Sequence, residues 1–220
     1  MNEYQYDLER PRRRGVSRRD VLVTGGMAGV AGGIVSALGL PMFTGRADAA
    51  SSGGDIKILN NALFYEHQAI WAYSFAAGKL SNTDVGKAVL AIALANQSDH
   101  KQHRELLTSA IKSLGGIPVK AETSYDVSSY IKNGEGNVDN DVNIAKLALA
   151  LETDAAIAYT QEVAKLKTPA LITAGASIGS TESAHATAIR AAFVSLGVKI
   201  PVVPAAFVNA DNRKAWVLKV

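Results

Sequence analysis

The stretch TESAHATAIRAAFVSLG, from Thr181 to Gly197, sets Glu182 and His185 three residues apart inside an apolar helical pattern. Positions i and i+3 share a helix face, so the two side chains point at one centre. A carboxylate on such a face is costly to bury unless it is paired, protonated or bound to a metal. The pattern has an echo upstream in HKQHRELLTSAIKSLG, from His100 to Gly115. In both copies the second His stands eleven residues before the Leu of a Leu-Gly stop: His103 before Leu114, His185 before Leu196. The repeat predicts a duplicated helical hairpin with a ligand pair on each copy.

What can hold a metal here is limited by composition. The chain of 220 residues has no Cys and four His. This excludes a disulfide framework, a thiolate site and a cysteine nucleophile, and leaves carboxylates and imidazoles as ligands. The formal charge is +3, and residues 1–49, with seven Lys and Arg against five Asp and Glu, carry +2 of it. The remainder is nearly neutral and gives no basis for a nucleic-acid partner.

Residues 1–49 read as an export signal rather than as part of the fold. Residues 1–20 are polar and arginine-rich, residues 21–43 are apolar and glycine-rich, and Ala47-Asp48-Ala49 is a small-x-small cleavage pattern. Ser17-Arg18-Arg19-Asp20-Val21-Leu22 resembles the twin-arginine signal. The expected location is therefore periplasmic or otherwise exported. A membrane contact is expected only if the signal stays uncleaved and its apolar stretch acts as an anchor.

From Asp55, a candidate N-cap, four apolar stripes of helical period follow. The first runs Leu59, Leu63, Glu66, Ile70, Tyr73, Ala77. The second begins near Thr83 or Asp84 and carries Val89, Asn96, His100, His103, Leu107 and Leu114. Residues 117–138 break the pattern and give a long connection, with a short helical turn expected near 125–130. The third stripe runs from about 139–141 to Leu166 through Leu149, Glu152, Ala156 and Tyr159. The fourth, with Thr168 as N-cap and Pro169 at its first position, carries Ile178, Glu182, His185, Ile189 and Phe193. Residues 198–220 read as an extended tail strapped over the bundle or onto a partner. Gln97 and Asp99 fall to one side of the second stripe. Asp99, Glu105, Asp154 and Glu162 read as solvated faces, His67 as a surface or interface residue, and Trp71 and Trp216 as packing. Pairing Gln97 with His100 would drop His103, and the Leu-Gly alignment argues against it.

The expected fold is thus all-α: two helical hairpins joined by a long crossover, with the bundle in residues 50–197 and the tail in 198–220. Such a bundle would bring Glu66, His100, His103, Glu152, Glu182 and His185 to one level of its core. The pattern Glu-x6-Tyr followed by a two-ligand x-x-His helix, repeated across a crossover, resembles the ferritin-like superfamily. With its signal and a Leu-Gly-Gly-x-Pro end to the second helix, it is similar in particular to exported ferritin-like domains of bacterial and desiccation-related proteins.

The resemblance implies Glu66 and Glu152 as terminal carboxylates, Glu182 as a bridge, and His103 and His185 as one ligand each. Tyr73 and Tyr159 would stand behind the ligands and orient the carboxylates or relay an electron, and Asn96 on the second stripe is a candidate to stand beside them. It implies a divalent transition metal, iron first and manganese or zinc as alternatives, in a mono- or dinuclear site. Dioxygen or peroxide would be the small-molecule partner, and a homo-oligomer is allowed. His100 departs from the family pattern, which has a second bridging Glu there. The implied activities are ferrous-iron oxidation or reactive-oxygen handling. The alternative is a non-enzymatic stress or assembly protein that keeps the bundle and a structural metal.

Overall fold

The computed structural model describes residues 49–220, with side chains from residue 53 onward. The signal expected in residues 1–49 lies outside the described residues, save Ala49. The helices are α1 (Ala49–Ala77), α2 (Asp84–Ser113), α3 (Ser128–Lys132), α4 (Asp141–Val163), α5 (Pro169–Ser195) and α6 (Arg213–Trp216), the last preceded by a 3-10 turn at Ala210–Asn212. No strand occurs among the described residues, and none of their helices is long and apolar enough to cross a membrane.

α1 packs along α2 and α4 along α5, and contacts of α2 with α5 and of α1 with α4 close the two hairpins into a four-helix bundle. Local chemistry sets the helix ends. Thr83 accepts from the Gly86 N–H at 3.1 Å and caps α2; Asn140 accepts from the Asn143 N–H at 2.9 Å and caps α4. The repeated Leu-Gly stops are alike in structure: Gly115 has φ 79° and Gly197 φ 88°, the left-handed form in which a helix ends at least cost on glycine.

The start of the first helix differs from expectation. α1 is already helical at Ala49 and runs through Gly53-Gly54, so Asp55 is an interior residue and not its N-cap. Asp55 is fully buried and serves another helix instead. Its carboxylate accepts from the Lys167 N–H at 2.9 Å, the Thr168 N–H at 3.0 Å and the Thr168 hydroxyl at 2.7 Å. A carboxylate at the positive N-terminal end of α5 is favourably placed. It also explains why Thr168, the N-cap of α5, makes no capping bond of its own.

The apolar core lies in two parts. One holds Leu59, Leu63, Leu107, Ile111, Leu171 and Ile178; the other holds Ala145, Leu149, Ala186, Ile189, Phe193 and Trp216. Fully burying a side chain such as Leu63 or Leu149 contributes about 1.5–3 kcal/mol. These two parts flank a polar layer, which their burial has to outweigh.

The tail straps the bundle, but it is partly helical rather than wholly extended. Trp216 is buried, and the buried Arg190 on α5 donates to Trp216 O at 2.5 Å and to Pro201 O at 2.9 Å. Arg213 grips Glu135 of the crossover and Asp154 of α4, both through paired bonds. Asp154 is therefore an anchor for the tail and not a purely solvated residue. The short crossover helix, α3, falls at 128–132, slightly later than expected.

Candidate metal centre

All six stripe residues reach one layer. Glu66 comes from α1, His100 and His103 from α2, Glu152 from α4, and Glu182 and His185 from α5. All but His103 are buried, and the His103 side chain is 12% exposed. Two overlapping groups have ligand atoms within 4.8 Å of one another: Glu66, His100, His103 and Glu182, and His100, Glu152, Glu182 and His185.

The carboxylates are held from behind by the other hairpin. Tyr73, seven residues after Glu66, donates to Glu152; Tyr159, seven residues after Glu152, donates to Glu66. Each Glu-x6-Tyr segment thus orients its counterpart's carboxylate. Asn96 joins the network by donating to the Tyr73 hydroxyl at 2.9 Å and to Glu152 at 3.5 Å. Gly179 makes room for this: a Cβ there would stand 2.9 Å from the Tyr159 Cβ.

Within the layer His100 Nδ1 lies 2.8 Å from Glu66 and Nε2 lies 3.2 Å from Glu152. His185 Nδ1 lies 3.2 Å from both Glu152 and Glu182. His103 Nδ1 and Glu182 Oε1 are 3.0 Å apart, an ion pair when the ring is protonated, but neither buried atom makes a hydrogen bond. An unsatisfied buried polar atom costs about 1–3 kcal/mol. An ion bound by both atoms would satisfy them together. Carboxylate oxygens and imidazole nitrogens are donors suited to iron, manganese and zinc. The residues therefore fit a divalent transition metal.

Electrostatics show what the layer does without one. Burial opposes the ionisation of Glu66, but His100 and His103 outweigh it and hold the group at about 2. Burial likewise opposes ionised Glu152, and His100 and His185 keep it well below the usual carboxylate range. For Glu182 burial wins over the histidines, and its pKa is raised. Burial disfavours imidazolium, yet the carboxylates push His103 up to about 9, His185 to about 10 and His100 well above the ordinary value. Burial, then Glu152 and Glu66 respectively, drives Tyr73 and Tyr159 upward, so both hydroxyls remain donors. Protons on the imidazoles thus balance the buried carboxylates.

Of the two polar residues beside the α2 stripe, Gln97 stays outside the layer as expected and Asp99 departs from its reading as a solvated face. Gln97 is buried, but it faces α1, donating to Ile70 O at 2.9 Å and to Ser74 Oγ at 2.7 Å. It has no part in the layer. Asp99 is half exposed, yet its Oδ2 lies 3.1 Å from His185 Nε2. A carboxylate on one imidazole nitrogen fixes the tautomer and leaves the other nitrogen for a metal. The available signal was the spacing from Asp99 to His103, four residues, which puts Asp99 on the ligand side of the helix. At the matching place on α5, Thr181 bonds Ser177 O instead, so the arrangement is one-sided. His67 reaches Val119 O at 3.3 Å, outside the layer.

A cavity of about 470 Å³ lies beside the layer. Its wall is largely apolar, including Ala62, Ala69, Leu151 and Ala158, and it reaches Glu66, His100, Glu152, Tyr73 and Tyr159.

No curated protein matches this chain. Among solved structures, it is similar to a conserved hypothetical protein, rv2844, from Mycobacterium tuberculosis, with 19% identity and a TM-score of 0.53 over 66% of this chain and 98% of that one. At that identity the likeness speaks for the fold alone. A family model described as ferritin-like domain matches residues 54–195, which include every residue of the polar layer. The chain belongs to the ferritin-like domain family.

Proposed function

We propose that this chain is an exported metal-binding protein that takes a divalent transition metal, iron first, into the layer between its helices. We further infer that it uses the metal to oxidise ferrous iron or to consume peroxide or related oxidants. The observation that carries the reading is two overlapping groups of largely buried carboxylates and imidazoles, with His103 Nδ1 and Glu182 Oε1 facing one another and neither making a hydrogen bond. A bound iron supplies one-electron and dioxygen chemistry.

The chain's own residues do the rest. Glu66, Glu152, Glu182, His103 and His185 supply ligand atoms, together with His100. Tyr73 and Tyr159 keep the two terminal carboxylates in place by donating to them. Asp99 orients the His185 ring with Nδ1 toward the layer. The apolar cavity lets a small neutral oxidant approach the Glu66 and Glu152 side. Export follows from the twin-arginine-like signal of residues 1–49.

A second reading has its own support in His100, which stands where the family pattern has a carboxylate. With less negative charge, the layer would hold a structural metal in a non-enzymatic stress or assembly protein. Elemental analysis of protein from its native compartment, beside His185→Ala, tests metal binding. The expected result is bound metal in the native chain and its loss in the variant. Ferrous oxidation and peroxide consumption by the loaded protein then separate the readings: turnover supports the first, and bound metal without turnover supports the second.

A further inference from the structure

His100 and Glu182 occupy matching places in the repeat, each three residues before the second His of its helix. Their geometry matches too. Glu182 turns one oxygen to each side of the layer: Oε1 lies 3.0 Å from His103 Nδ1, and Oε2 lies 3.2 Å from His185 Nδ1. His100 turns one nitrogen to each side: Nδ1 lies 2.8 Å from Glu66 Oε2, and Nε2 lies 3.2 Å from Glu152 Oε1. The two groups able to hold a metal share His100 and Glu182 and differ in the rest. One half is Glu66 with His103, and the other is Glu152 with His185.

We propose that His100 joins the two halves through both ring nitrogens, so that the site holds two metals under one carboxylate bridge and one imidazolate bridge. This rests on the reading of the layer as a metal site. The distances accommodate it. Donor atoms about 2.0–2.1 Å from one ion and roughly at right angles lie about 3 Å apart, and the edges here are 2.8, 3.0, 3.2 and 3.2 Å. Charge favours it. Three buried carboxylates alone leave two divalent ions with an excess positive charge in a layer shielded from water, which is costly. An imidazolate supplies the missing negative charge, as the bridging Glu does in the family pattern. Two metal–nitrogen bonds form on the ring, and the protons released from Nδ1 and Nε2 go to solvent. No oxidation state changes.

The rival role for His100 is that of a fixed cation, its two N–H groups tying Glu66 to Glu152 beside a single metal. The full chain, stripped and reloaded with Co2+ alone, separates the two. Elemental analysis counts the ions, and X-ray absorption and magnetic susceptibility read their separation and coupling. The expected result is two coupled Co2+ per chain, farther apart than the about 3.5–4 Å of oxygen-bridged pairs. His100→Glu should keep both ions and shorten the separation to about that range. His100→Ala should abolish the coupling and weaken uptake of the second ion at least tenfold; should it fail to fold, His100→Glu carries the test. One Co2+ per native chain, or two whose separation and coupling do not change with His100→Glu, would overturn the bridge and leave the metal site standing. No uptake by the native chain would overturn the site as well.

Discussion

Tyr159 donates to Glu66, a residue 93 positions away on another helix, and the same exchange links Tyr73 to Glu152. Groups behind metal ligands typically tune affinity by about 10–100-fold. Tyr159→Phe is therefore expected to weaken metal binding by about that factor while the fold survives, because the ring still fills its place. Competition against a chelator of known affinity checks this, with circular dichroism as the control; unchanged affinity would remove the tyrosine from the site. The six residues of the polar layer were legible in the sequence because each interrupts an apolar stripe, and an interruption is visible without a structure. The exchange of tyrosines was not. Spacing places Tyr73 on the face of Glu66, but only the packing of α1 against α4 decides whose carboxylate it meets. Asp99 escaped for a different reason: it is half exposed, so no stripe marks it, and its partner His185 is 86 residues on.

Among the elements, α5 takes the acceptor of its first turn from a residue outside itself. Asp55 supplies its first turn with the acceptor that Thr168 does not. Loss of an N-terminal cap costs about 0.5–2 kcal/mol, and each buried donor left unpaired adds to that. Asp55→Ala is expected to destabilise the protein by about 2–3 kcal/mol. Urea unfolding should show a lower midpoint at an unchanged slope, and a variant as stable as the native chain would contradict the role. The ends of α2 and α5 could be read from Thr83, Pro169 and the two Leu-Gly stops. The start of α1 could not. Gly53-Gly54 reads locally as a break, and what makes Asp55 interior is a contact with Lys167 and Thr168, more than a hundred residues later.

At the scale of the molecule, a ferritin-like bundle encloses a layer of ionisable groups, and its stability is tied to pH and metal together. In the metal-free chain the protonated His103 and His185 stabilise the fold fully below their ordinary 6.5, and this is lost as pH rises through about 9 and 10. Glu66 acts in the opposite sense: its contribution is present above its ordinary 4.5 and is lost as pH falls toward 2. For these groups the optimum of the metal-free chain lies between 4.5 and 6.5. Metal binding requires neutral imidazoles and releases their protons, so it strengthens as pH rises. The gain in melting temperature on loading should therefore grow from about pH 5.5 to about pH 8.5, as calorimetry of the loaded and metal-free protein would show. A gain that is flat or falls with pH would contradict the linkage.

The fold was legible because patterning, stops and crossover length all pointed to the same bundle; the tail was less so, since Arg190 and Arg213 bind it through backbone oxygens and distant carboxylates that carry no local period. The central claim is that Glu66, His100, His103, Glu152, Glu182 and His185 hold metal. An anomalous-difference map from crystals of the metal-loaded chain tests it most directly. The account predicts peaks inside the layer, within bonding distance of His103 Nδ1 and Glu182 Oε1, and absence of anomalous density there from fully loaded protein would contradict it.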